Sequence, residues 1–99
     1  MSADDRNLTL RTLDVLEALC GYAASGASNG ELAKAANTSA PNITRAMAQL
    51  IEKGWARKSD DNGRFYPTPA FTRLTFRVPA DLDRVQTRLD DQRRAFTGG

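Results

Sequence analysis

Ninety-nine residues, 40% hydrophobic and 26% charged, make one domain with a single modest core. That composition excludes a disordered chain, no apolar run is long enough to span a bilayer, and the start MSADDRN lacks a basic-then-apolar export signal, so the cytoplasm is the expected compartment. Net charge is only +2, but residues 40–78 hold seven cations against three anions, while residues 1–39 carry −2 and residues 79–99 balance, so the positive charge lies mid-chain, where a polyanion partner requires it.

Residues 1–7 are polar and predicted to fray. From Leu8 to Ala24, Leu13, Leu16, Leu19, Cys20 and Ala23 recur at helical spacing, with Leu10 and Val15 flanking the stripe. Asn7 or Thr9 is the candidate cap, and Ser25-Gly26-Ala27 the stop. On that stripe Cys20 is predicted to be a small buried apolar group rather than a nucleophile.

Ser28-Asn29-Gly30-Glu31 has the form of a capping box, in which the Ser hydroxyl and the Glu carboxylate satisfy each other's backbone N–H groups. It opens a short helix, residues 30–36, with Leu32, Ala33 and Ala36 inward. Asn37 is the residue best suited to a left-handed turn, and Ser39 is a second cap, with Ala40 and Pro41 in the first turn of a helix ending at Lys53 before Gly54. Ile43, Ala46, Met47 and Leu50 face the core, Ile51 lies at its edge, and Asn42, Thr44, Arg45, Ala48 and Gln49 point away. Residues 55–59 and 64–67 read as two strands around Asp60-Asp61-Asn62-Gly63, with Asn62-Gly63 as the tight-turn pair.

Thr68-Pro69 starts another helix, whose Phe71, Leu74 and Phe76 are expected on the first helix. Pro79 marks Val78 as a boundary, followed by a last helix to about Phe96. Its apolar residues Leu82, Val85, Leu89 and Phe96 form a heptad-like stripe interrupted by Gln92. Such a narrow stripe either packs on its own domain or forms a two-stranded dimer seam; the almost wholly polar remainder of the helix favours the seam.

The fold class is therefore mainly α with a small β-hairpin: a winged helix-turn-helix over residues 1–78 plus a C-terminal helix over 79–99. In that order, ELAKAAN, NITRAMAQLIEKGWARK, DDNG and RFYPT resemble the winged domain of IclR-type transcriptional regulators, and MarR-type regulators less closely, over Asn7 to Leu74. The resemblance departs at Asn37, where such domains often have Gly, and the larger ligand-binding domain of full IclR-type proteins does not follow, so no small-molecule effector domain is expected.

A helix in the major groove reads guanine through Arg, adenine through Asn or Gln, and either hydrogen bonds or a thymine methyl through Thr. Asn42, Thr44, Arg45 and Gln49 supply these groups along one face. The resemblance implies that the N-terminal half of the helix meets the bases, through Pro41, Asn42, Thr44 and Arg45. Backbone N–H groups near Ser28, Asn29, Ser39 and Ala40 suit phosphates, as do Arg57, Lys58 and Arg64 on the hairpin, with Arg73 and Arg77 as further cations. Asp60 and Asp61 disfavour deep insertion of the hairpin tip into a minor groove.

With no histidine, a single cysteine, no phosphate-binding glycine loop and scattered carboxylates, no catalytic or metal site and no cofactor is expected. The leading expectation is a homodimeric regulator on palindromic double-stranded DNA. The alternative is a winged domain serving as a protein-interaction adaptor without DNA binding.

Overall fold

The computed structural model describes residues 3–98, and the side chains of residues 7–98. Five helices and one hairpin follow in the order α1 (Ala3–Cys20), α2 (Asn29–Ala35), α3 (Ala40–Lys53), β1 (Ala56–Lys58), β2 (Phe65–Pro67), α4 (Pro69–Thr75) and α5 (Arg77–Thr97). The predicted fold class, mainly helical with a small antiparallel hairpin, is the observed one. Among the described residues no helix is long and apolar enough to cross a membrane.

The core is formed where α1, α2, α3 and the hairpin meet. It contains Val15, Leu16 and Leu19 from α1, Leu32 from α2, and Ile43, Ala46, Met47 and Leu50 from α3, closed by Ala27, Ala56 and Phe65. The α3 residues are those the helical spacing picks out, and Ile51 stays at the edge, 41% exposed.

The first helix departs from expectation in its limits and its face. It is already helical at Ala3, so Asn7 and Thr9 lie inside it rather than at its start; Met1 and Ser2 lie outside the described residues. It stops at Cys20 rather than Ala24, as Gly21 N and Tyr22 N donate three residues back, to Ala18 O and Leu19 O. The buried face is rotated toward Val15, leaving Leu10 and Leu13 about half exposed. Cys20 is exposed rather than buried. Partial burial nonetheless pushes its thiol pKa up, with the Glu17 charge adding to the effect, which leaves little reactive thiolate.

Helices α2 and α3 start as their caps dictate. Ser28 Oγ accepts from Glu31 N at 3.1 Å while Glu31 Oε1 accepts from Ser28 N at 3.0 Å, completing the capping box. Asn37 takes the left-handed conformation at φ 53° between the helices, and Ser39 caps α3 with Pro41 in its first turn. Gly54, at φ 86°, ends α3 and turns the chain into β1.

The hairpin pairs Ala56 with Pro67, Arg57 with Tyr66 and Lys58 with Phe65. Its loop is longer than a two-residue turn: Ser59 N donates to Arg64 O and Gly63 N to Ser59 O, both at 2.9 Å. Gly63 is left-handed but Asn62 is not, because Asn62 Oδ1 accepts from Arg64 N in a local side-chain turn. A one-residue bridge between Ala27 and Phe65, bonded in both directions at 2.9 and 2.8 Å, pins β2 to the loop between α1 and α2.

Phe71 packs on Trp55, ring centroids 5.6 Å apart, while Phe76 is 63% exposed, so the expected packing of Phe76 on the first helix does not occur. Helix α5 begins at Arg77, not Pro79, since a proline in the first turn removes an N–H that has no helical partner. No residue of α5 is buried, so its apolar stripe is left largely uncovered by its own domain. The molecule as a whole is elongated, with extents of 63 × 38 × 21 Å.

Candidate nucleic-acid interface

Cap chemistry and burial of one side of α3 leave its other side in solvent. Pro41, Thr44, Arg45, Ala48 and Gln49 are exposed and Asn42 is half-buried, so the row singled out from spacing protrudes from the fold. Its polar groups are ordered. Asn42 Nδ2 donates to Thr38 Oγ1 at 2.9 Å, and Arg45 Nη2 donates to Asn42 Oδ1 at 2.7 Å. Thr44 Oγ1 donates to Ala40 O and accepts from Asn29 Nδ2, both at 3.2 Å.

Asn29 thereby joins the start of α2 to the start of α3, since its Nδ2 also reaches Ala40 O at 3.3 Å. A carbonyl can only accept, so the amide nitrogen must face Ala40, which leaves Asn29 Oδ1 buried with no partner. Ser39 and Ala40 are exposed beside this junction, and Ser28 is half-buried. Both helix starts expected to offer N–H groups therefore lie beside this row of α3.

A groove of about 390 Å³ separates α3 from the hairpin, with Asn29, Thr44 and Ile51 on one wall and Lys58, Asn62 and Arg64 on the other. Arg57 and Lys58 are exposed on β1, with Arg57 over the Tyr66 ring at 4.5 Å and Lys58 over Phe65 at 5.7 Å. In both contacts the charged head itself lies over the ring face, a cation–π arrangement on a strand whose cations stay exposed.

Arg64, also expected at phosphates, is directed inward. Its Nε donates to Ser25 O and Gly26 O at 3.2 Å, and its Nη2 to Gly26 O at 3.0 Å and to Glu31 Oε1. The side chain keeps 33% exposure, yet one side of the guanidinium is used to tie the wing to α2. Tyr66 adds a second tie: Asn62 Nδ2 donates to its hydroxyl, which donates to Ser25 O. Arg73 and Arg77 line, with Lys53 and Trp55, a shallow cleft at the far end of α3, roughly 20 Å along the helix from Ser39.

Glu31 is the residue of this region whose second partner the sequence did not reveal. Its capping role is local and legible; its pairing with Arg64 exists only once the Ala27–Phe65 bridge has formed. The Ser28 backbone bond first, the Ser28 hydroxyl next, and then the Arg64 charge hold its carboxyl below the usual carboxylate range. A depressed folded-state pKa gives a contribution present above the unfolded value and lost as pH falls through the folded one. Glu31→Gln keeps the cap but not the charge. Its denaturation midpoint is expected below that of the unaltered protein at neutral pH, with the difference disappearing in acid beneath the Glu31 folded-state pKa. Urea titrations from about pH 2 to 7 measure this; parallel curves over that range would show that the carboxylate charge contributes nothing.

Among the described residues no group of three or more histidine, cysteine, aspartate or glutamate side chains could hold a metal ion.

The described fold has several solved counterparts. One is a MarR family transcriptional regulator from Silicibacter pomeroyi, 21% identical, matched over 96% of this chain and 74% of that one, with a TM-score of 0.52. Another is MepR, a transcription regulator of the Staphylococcus aureus multidrug efflux pump MepA, 15% identical over 89% of this chain and 77% of that one, with a TM-score of 0.56. At these identities the likeness establishes the shared fold. No curated protein matches the chain. The MarR family model matches residues 8–64, from within α1 through β1 and the loop that follows it. This corrects the closer resemblance drawn to IclR-type regulators: cap, turn and strand signals are dictated by any winged helix-turn-helix and do not separate the two groups. By a match over more than half of its length, the chain belongs to the MarR family.

Proposed function

We propose that this protein is a sequence-specific regulator of transcription that binds double-stranded DNA, with the N-terminal half of α3 in the major groove and β1 on the sugar–phosphate backbone. The observation that carries this reading is the row of exposed Thr44, Arg45 and Gln49 with half-buried Asn42, and the exposed cations Arg57 and Lys58 beside it. Base edges demand side chains of this kind, and phosphates demand mobile cations at the flank. Membership of the MarR family places the protein among regulators rather than enzymes and supports the same reading.

Within this reading Arg45 reads a guanine, Gln49 and the Thr44 methyl contact neighbouring bases, and exposed N–H groups at Ser39 and Ala40 face a phosphate. Arg57 and Lys58 grip the backbone, while Arg64 chiefly sets the angle of the wing. The unpartnered stripe of α5 joins two copies, so that the dimer reads a palindrome with half-sites about 10 base pairs apart or a multiple of that.

Arg45→Ala is expected to cost about 1–3 kcal/mol at the selected site and almost nothing on random duplex. Competition binding of both DNAs to both proteins measures it; equal weakening on the two DNAs would make Arg45 a phosphate contact. Binding is also expected to weaken steeply with salt. Absence of any duplex binding at low salt would instead favour the adaptor reading, in which the same fold docks a protein.

A further inference from the structure

The proposed reading face carries a hydrogen-bonded chain that its composition does not disclose. Both ends of the Asn42 amide are engaged, Nδ2 by Thr38 Oγ1 at 2.9 Å and Oδ1 by Arg45 Nη2 at 2.7 Å. Chemistry fixes which end faces which partner. A guanidinium has only donors, so it must meet the amide oxygen; a hydroxyl can accept, so it takes the amide nitrogen. Thr38 is itself held, half-buried in the turn after left-handed Asn37, with its N–H donating to Ala33 O at 2.9 Å. The chain thus runs from the fixed turn between α2 and α3 out to the solvent-facing guanidinium.

An asparagine reads adenine by offering Nδ2 and Oδ1 together to one base. Here each group already carries one bond within the fold, Nδ2 to Thr38 and Oδ1 from Arg45, so the orientation of the amide is set by its neighbours before a base arrives and only its second N–H and second lone pair remain. Arg45 uses one donor on Asn42 and keeps the others, enough for the O6 and N7 of a guanine. A long side chain on an exposed helix face otherwise loses much rotamer freedom on binding, and a fixed neighbour reduces that loss beforehand.

We infer that Asn42 is a positioning residue rather than a base reader: it holds the Arg45 guanidinium extended toward a guanine, and Thr38 holds Asn42. Three residues then specify one base pair. This rests on the DNA-reading function proposed above and refines which residues carry it.

Selection of bound sequences from a random duplex pool, followed by competition against single-base variants of the selected site, tests it on the full chain. Arg45→Ala and Asn42→Ala are expected to flatten preference at the same base pair, Asn42→Ala by about three- to tenfold in discrimination. Thr38→Val weakens discrimination at that position, and Thr38→Ser, which retains the hydroxyl, restores it. Asn42→Asp keeps an acceptor for Arg45 without an amide donor, so guanine preference survives although overall affinity falls near the phosphates. Random-duplex affinity and melting temperature report whether each variant is folded. If Asn42→Ala or Asn42→Asp instead erases an adenine preference at a neighbouring base pair and leaves the guanine untouched, Asn42 is a reader and the chain has no role in specificity. If the unaltered protein selects no sequence, the DNA-reading function itself falls and this inference falls with it.

Discussion

Gly26→Ala is expected to destabilise the protein by about 3 kcal/mol, which for a domain of this size lowers the melting temperature by roughly 10–20 °C. Two costs add. Gly26 has φ +76°, a conformation that L side chains rarely adopt, and a Cβ there would lie 2.6 Å from Tyr66 Cζ and 2.9 Å from its hydroxyl oxygen. Tyr66 cannot yield freely, because its hydroxyl is bonded to Asn62 and Ser25 and Arg57 lies against its ring. Gly26 O is also the acceptor for both Arg64 nitrogens that orient the wing. Loss of stability is therefore expected together with a loosened hairpin and weaker duplex binding. Gly54→Ala is the matching control: its φ is +86° but nothing lies within 4 Å of the added carbon, so only the backbone cost, about 1 kcal/mol, applies. Calorimetric melts of the two variants separate strain from collision; equal shifts would mean that Tyr66 moves aside at no cost and that its seat on Gly26 holds nothing in place.

The contrast between α3 and α1 shows what the chain's local chemistry discloses. In α3 the cap at Ser39, the apolar residues Ile43, Ala46, Met47 and Leu50, and the stop at Gly54 each give the same answer, and the observed limits and buried face coincide with it. In α1 two stripes fit the helical period about equally, because leucine occurs at positions 10, 13, 16 and 19. Only packing against α2 and α3 selects the face through Val15 and Leu19, and that choice leaves Leu13 and Cys20 in solvent. The same limit applies at the wing. Glu31 is legible as a cap and Arg64 as a hairpin cation, but their meeting depends on a bridge between residues far apart in sequence. The family assignment failed for a related reason: the residues that resembled an IclR-type domain are those the shared fold requires, whereas MarR membership emerges from the match over residues 8–64 as a whole.

Replacing Leu82 and Leu89 together by lysine is expected to give a monomer in sedimentation and to weaken operator binding at least about 100-fold, because the second half-site is then no longer engaged at high effective concentration. Leu82, Val85 and Leu89 remain 63%, 45% and 50% exposed along one stripe of α5, and Val78 and Phe76 add 68% and 63% at its start. A helix of 21 residues with no buried side chain has almost no tertiary support, which is the ground for the second copy proposed to cover its apolar stripe. Because the core draws nothing from α5, the secondary structure of residues 3–75 is expected to survive the double substitution, and random-duplex binding per subunit to change little. That separates loss of the dimer from loss of the fold. A variant that stays dimeric would move the seam to α1, where Leu10 and Leu13 are 54% and 51% exposed, and lysines placed there would then produce the monomer.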